Sequence, residues 1–310
     1  MENTRAKTTR NSLILLLTAT IWGMAFVSQS KGMDYMHPFT FNGVRSLIGA
    51  AGILLYILIS RKIAGDKAAK LDWKLNVKAG LLCGIFLTIA STLQQFGIKY
   101  TSVGKAGFIT TLYIIFVPMF GIFLKKKVAP VVWAAAGMAA VGMYLLCMTE
   151  SLRLGAGDIM VFLCAIAFAI QIMTVDHYAA RIDGAVVSCI QFTVCGVVCC
   201  IGALIWGQPT FGQIQEGLGA LLYAGVLSCG VGYTLQIVGQ KGLNPTVAAL
   251  IMSLESVIAT ISGWIAYKIG FLSTDQTLTP RQIAGCVIVF AAVILVQLPP
   301  EWFRFGKKNA

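Results

Sequence analysis

Charge is scarce in this chain. Of its 310 residues only 12% are Asp, Glu, Lys or Arg, about half the share of an ordinary soluble domain, and the mean hydropathy is +0.81. A free soluble domain is excluded. Acids number 12 against 24 Lys and Arg, and histidine occurs 2 times. No HExxH, GxSxG, CxxC or Walker A sequence is present, and no two aspartates pair in mid-span. Those are the constellations that metal-dependent proteases, serine hydrolases and ATP-driven pumps need. The chain therefore reads as a non-enzyme with no catalytic residue, no cofactor and no metal site. Period-2 alternation is also missing, which excludes a membrane barrel. No small-residue cleavage site follows the first apolar run, so Ser12–Ser30 reads as a retained span and not a signal peptide.

Apolar length is what the chain has in quantity. Hydrophobic residues make up 57% of it, in runs long enough to cross a hydrocarbon core of about 30 Å. Breaks at charges, Pro and Gly predict ten helices near 12–30, 38–60, 76–98, 104–124, 129–148, 157–176, 184–206, 217–239, 246–267 and 281–298. The 9 cysteines all fall inside these runs and read as small lipid-compatible side chains. His37 and His177 stand at span ends with no ligand spacing. Asp158, Asp176 and Asp183 border spans and are expected to be solvated.

A net charge of +12 would suit nucleic acid if it were clustered. It is spread through short loops and both ends, where it sets topology, so no nucleic-acid partner is expected. With ten spans, seventeen Lys and Arg fall on the side of the termini and six on the other, leaving Arg45 inside a span. This bias predicts a multi-pass protein of the cell membrane with both termini cytoplasmic.

The two halves repeat. Residues 92–99 read TLQQFGIK and residues 234–241 read TLQIVGQK, an offset of 142 that continues without a gap from Ala106/Ala248 to Gly121/Gly263. Five spans precede the loop near Thr149–Gly155 and five follow it, and an odd number per repeat forces opposite orientations in the membrane. The expected fold is an all-α polytopic membrane protein, ten transmembrane helices as two inverted five-helix repeats. Its expected parts are a cytoplasmic tail 1–11, repeats 12–148 and 157–298, a connecting loop 149–156 and a cytoplasmic tail 299–310. One chain supplies both halves, which suits a working monomer.

Short motifs sharpen this. Ala19–Val27 reads ATIWGMAFV, Pro38–Ser46 carries Pro38 and Arg45, the fourth span carries Leu112 and Pro118, and Ser253–Ala259 reads SLESVIA. Over about residues 12–298 the chain resembles the drug/metabolite transporter superfamily, in particular its EamA-domain family of ten-span exporters. It departs from that pattern at Phe168, where the second repeat usually has tryptophan, and at Ser256, where one branch has proline. The first span also lacks the acid that small multidrug-resistance relatives use. The resemblance implies a carrier of small organic metabolites, often amino acids and usually outward; related branches carry nucleotide sugars, phosphorylated sugars or purines.

Charged and amide side chains in hydrocarbon mark the candidate substrate site. Arg45 either binds a carboxylate or phosphate or fastens helices. Glu255 either binds an amine, takes up a proton in the cycle, or fastens span nine. The repeat pairs Gln94 with Gln236 and Tyr113 with Glu255, and the family alignment pairs Gln191 with Arg45. Gln95, Gln171 and Tyr233 complete the polar set, and Trp22 offers an aromatic face. The expected function is secondary active transport, most readily export of an amino acid or similar amphipathic compound by alternating access, with proton coupling open. Uptake or exchange of phosphorylated or nucleotide-linked sugars is the rival within transport; a membrane-embedded sensor or enzyme is the rival outside it.

Overall fold

The computed structural model describes residues 2–65, 71–124, 130–147, 155–273 and 275–297. Most of the connecting loop, the C-terminal tail and the clustered loop lysines lie outside these.

Among the described residues there are helices and no strands. Eight are long and apolar enough to span a membrane: α1 (Ala6–Gly32, its helix beginning at Glu2), α2 (Pro38–Ala64), α3 (Trp73–Ile98), α4 (Val103–Phe123), α6 (Ala156–Tyr178), α7 (Gly184–Gly207), α8 (Leu218–Gln240) and α9 (Pro245–Lys268). Two shorter apolar helices complete the repeats, α5 (Pro130–Cys147) and α10 (Pro280–Gln297), each of 18 residues. At 1.5 Å per residue these reach about 27 Å, close to one hydrocarbon thickness.

Polar caps start many of the helices. Asp72, Ser102 and Asp183 accept from backbone N–H groups at the starts of α3, α4 and α7. His37 and Asn244 do so before Pro38 and Pro245, where proline's missing N–H costs nothing. Two spans are interrupted. α4 breaks at Leu112 and α9 at Ser253, positions one residue apart under the 142-residue offset. Pro118 lies inside the second half of α4. α8 runs as a π-helix over Tyr223–Gly232, a form that re-aims side chains and concentrates at functional places.

The fold is polar inside and apolar outside, as the bilayer demands. Leu54, Leu55, Leu58, Ile205 and Phe211 face outward, while Asn42, Arg45, Gln94, Gln171 and Glu255 are buried. Small residues let the helices close in. A methyl group on Gly80 or Gly84 of α3 would meet Ile190 or Val194 of α7 at 2.7 and 2.9 Å, and one on Gly225 would meet Ile48 at 2.8 Å.

These contacts also display the inversion. α2 and α7 hold the same place in the two repeats and pack antiparallel, with Gly43 against Cys200, Gly196 against Leu47 and Gly202 against Phe39. At one face Gly97 of α3 packs on Val161 of α6; at the other Gly239 of α8 packs on Leu15 of α1. Gly239 is the image of Gly97 at offset 142, and Val161 the image of Leu15 at offset 146, the offset that relates Trp22 to Phe168. The same glycine contact thus stands at both ends.

Asp158 departs from the expectation of a solvated border residue. It is 3% exposed. Its carboxylate accepts from Lys105 Nζ at 2.6 Å, Thr101 Oγ1 at 3.0 Å and Gly155 N at 2.8 Å. It lies in the first turn of α6, where a negative charge is favoured, and Lys105 reaches it from α4 of the other repeat.

Candidate functional site

Between these two ends lies a cavity lined by ten residues of the first repeat and nine of the second. Seven repeat-related pairs supply fourteen of the nineteen: Trp22/Phe168, Phe26/Ile172 and Ser46/Phe192 at offset 146, and Leu87/Cys229, Ser91/Tyr233, Gln94/Gln236 and Tyr113/Glu255 at offset 142. A cavity walled by equivalent residues sits on the axis that relates the halves. It leaves about 40 Å³ to the centres of water molecules.

One member of each helix pair does chemistry that its counterpart does not. Glu255 lines the cavity two residues after the break at Ser253, and Tyr113 one residue after the break at Leu112. The Tyr113 hydroxyl donates to Glu255 Oε1 at 3.1 Å, with both side chains buried. No cation pairs with Glu255 among the described residues. Arg45 enters from α2 with 5% exposure; its Nε has no hydrogen-bond partner and its guanidinium carbon lies 5.3 Å from the Phe41 ring centroid. It forms no ion pair with Glu255 or any other described acid. The cavity therefore holds a guanidinium with an unused donor and a carboxyl with only a phenol for company.

The remaining lining orients these groups. Trp22 and Tyr233 pack with ring centroids 4.5 Å apart, and Phe192 meets Tyr233 edge-on at 5.0 Å. Trp22 Nε1 donates to the Ser228 carbonyl at 3.4 Å. The Gln236 amide donates to Gln171 Oε1 at 3.1 Å, tying α8 to α6. Gln94 Nε2 donates to Thr110 Oγ1 at 3.2 Å. Among the described residues no three His, Cys, Asp or Glu side chains converge as a metal site would require.

Of the sequence candidates, Trp22, Arg45, Gln94, Tyr113, Gln171, Tyr233, Gln236 and Glu255 meet in this cavity. Gln95 and Gln191 do not line it. Gln95 turns to α1, its Nε2 donating to the Gln29 carbonyl at 3.1 Å. Gln191 is fully buried, its Cα 3.2 Å from where a Gly84 methyl would stand, and neither amide atom has a partner. Gln29, Ser46, Thr110 and Ser228 line the cavity without having been singled out. Gln29 is the notable one, since its Oε1 is buried with no donor. Phe168, where the chain departs from the family pattern, also lines the cavity, as do Ser91 and Cys229.

A family model described as the EamA-like transporter family matches residues 10–148 and 155–298. The chain belongs to this family. The match is double, one unit per repeat, and its two segments meet at the connecting loop. Relatives across nearly the whole length carry the same kind of name. An uncharacterized transporter of Archaeoglobus fulgidus is 28% identical, covering 92% of this chain and 84% of that protein. The uncharacterized transporter YwfM of Bacillus subtilis is 25% identical, covering 94% of each. One solved structure superposes with a TM-score of 0.73 over 96% of this chain and 99% of its own at 16% identity, a likeness of fold. As an EamA-like chain the protein is a multi-pass membrane protein of a transporter family, with the cavity at the junction of its two family units.

Proposed function

We propose that this EamA-like protein is a secondary active carrier that exports a small zwitterionic metabolite, an amino acid or a close analogue, across the cell membrane. The observation that carries the reading is the pairing of Arg45 and Glu255 in one narrow cavity, unjoined to each other. A guanidinium with an unused N–H suits a carboxylate, and the Glu255 carboxyl and the unpartnered Gln29 Oε1, both in the lining, suit an ammonium. The Trp22, Phe192 and Tyr233 rings supply apolar area for a side chain. A phosphate-bearing ligand is served less well, because the lining contains a single cation.

Transport then follows from the inversion. In alternating access the Gly97–Val161 end and the Gly239–Leu15 end part in turn, and the inverted halves make these alternatives. Glu255 serves in turn as ammonium acceptor and proton carrier. A proton entering when the substrate leaves would drive export against a gradient. The termini lie in the cytoplasm on the charge-bias argument, one chain suffices for the cycle, and the chain is not an enzyme.

The test is counterflow of a labelled panel of amino acids, amines and sugar phosphates in proteoliposomes holding the purified protein, with and without a pH gradient. Saturable exchange of a zwitterion that unlabelled compound competes away is the expected result. Exchange of a sugar phosphate alone, or none across the panel with folded protein, would overturn it.

A further inference from the structure

A second cleft, of about 630 Å³, opens at the face where α1 begins. One wall comes from the first repeat, the end of α2 and the start of α3. The other comes from the second, the Ala180–Ala185 turn and the end of α8. Its surface is divided. Tyr56, Ile57 and Val238 make an apolar wall, and Tyr56 is 61% exposed on the lipid-facing side of α2. Arg61, Arg181 and Lys241 stand at the end.

The cleft's two acids do not neutralise Arg181 and Lys241. Asp72 accepts from Leu75 N at 3.0 Å, and Asp183 accepts from Ala185 N and Val186 N at 2.9 and 3.1 Å. Both are spent on helix N-termini. Lys241 Nζ donates to the Ile182 carbonyl at 3.2 Å, which occupies one of its three N–H donors. Arg181, next in sequence to Ile182, reaches only His177 and the Tyr178 ring. Neither cation has a carboxylate within ion-pair distance among the described residues.

We propose that this cleft binds an anionic phospholipid from the adjoining leaflet, its phosphate between Arg181 and Lys241 and an acyl chain along Tyr56, Ile57 and Val238. Cationic pockets between spans are suited to anionic headgroups, and the apolar wall open to the bilayer is what a soluble anion would leave unused. The lipid touches α2 of one repeat and α8 of the other, so it bridges the halves at this face. The site is separate from the central cavity, with no lining residue in common.

The experiment measures lipid retention by native mass spectrometry and thermal stability of the purified full chain in neutral detergent. Phosphatidylglycerol and phosphatidylcholine of identical acyl chains are compared, with inorganic phosphate as a third arm. The expected result is retention and stabilisation by phosphatidylglycerol well above phosphatidylcholine, and none by phosphate. The double variant Arg181→Gln/Lys241→Gln should lose about tenfold or more of the phosphatidylglycerol affinity and keep its weak phosphatidylcholine binding. Thr234→Trp, which fills the cleft without touching charge, should lose phosphatidylglycerol retention while its own thermal transition without lipid stays cooperative. Equal retention of the two lipids, stabilisation by phosphate alone, or an unchanged lipid preference in both variants would each overturn the proposal.

Discussion

Replacing Asp158 by asparagine tests how the two repeats are held at the face opposite the termini. The carboxylate takes three donors, one of them the Lys105 ammonium at 2.6 Å. Asparagine keeps the shape, drops the charge, and sets an amide N–H2 against one of those donors. Lys105 retains 20% side-chain exposure, so its stem can carry the ammonium partly back to water. The loss therefore belongs at or below the low end of the 3–5 kcal/mol seen when one member of a buried pair is removed, about 2–3 kcal/mol. Lys105→Met should cost a similar amount, because Asp158 would keep Thr101 and Gly155. The double variant should be less destabilised than the two singles together, by about 1–2 kcal/mol. Reversible unfolding of the four proteins in mixed micelles gives the cycle. Additive losses, within about 0.5 kcal/mol, would show that the ion pair contributes nothing across the repeats and refute the reasoning.

Arg45→Ala should weaken binding of zwitterions and anions by about 10- to 100-fold, the worth of a charge-assisted hydrogen bond, and spare neutral ligands; equal loss for all, read by competition in counterflow, would make Arg45 a helix fastener. Glu255→Gln cannot exchange a proton, so flux through it should no longer depend on a pH gradient while insertion is preserved. An unaltered pH dependence in proteoliposomes would assign Glu255 to scaffolding. Gly97→Ala would drive a methyl into Val161 and to 2.8 Å from the Gly157 carbonyl; a loss of about 1–3 kcal/mol in thermal stability is expected, and a neutral change would mean that α3 and α6 are loosely joined.

Much of this was legible because hydropathy and duplication are properties of whole segments. Span number, helical class and the pairing of Gln94 with Gln236 needed only apolar run lengths and a constant offset. What the runs could not supply is rotation about each helix axis. Successive residues point about 100° apart; Gln94 faces the cavity, and Gln95 turns to α1. The same turn hides Gln191. Gln29 escaped notice because it sits near a span end, where a lone amide reads as ordinary interface, and Ser228 because a π-helix shifts the register that a regular helix would follow. Asp158 looked like a border residue because its partners Thr101 and Lys105 come from the other repeat.

The hydrogen bond between Tyr113 and Glu255 joins a residue to its own counterpart. Suppose the halves trade conformations, as inverted repeats do in alternating access. Gly97–Val161 becomes Gly239–Leu15, and each such contact is exchanged for its reflection at the opposite face. A bond between counterparts has no other place to go, since it is its own reflection. It can persist through the whole cycle, a fulcrum about which everything else is permuted. Because one partner is a phenol and the other a carboxylic acid, the duplicated halves differ in chemistry at that fulcrum, so the stationary point of the motion is a place suited to tell one side of the membrane from the other.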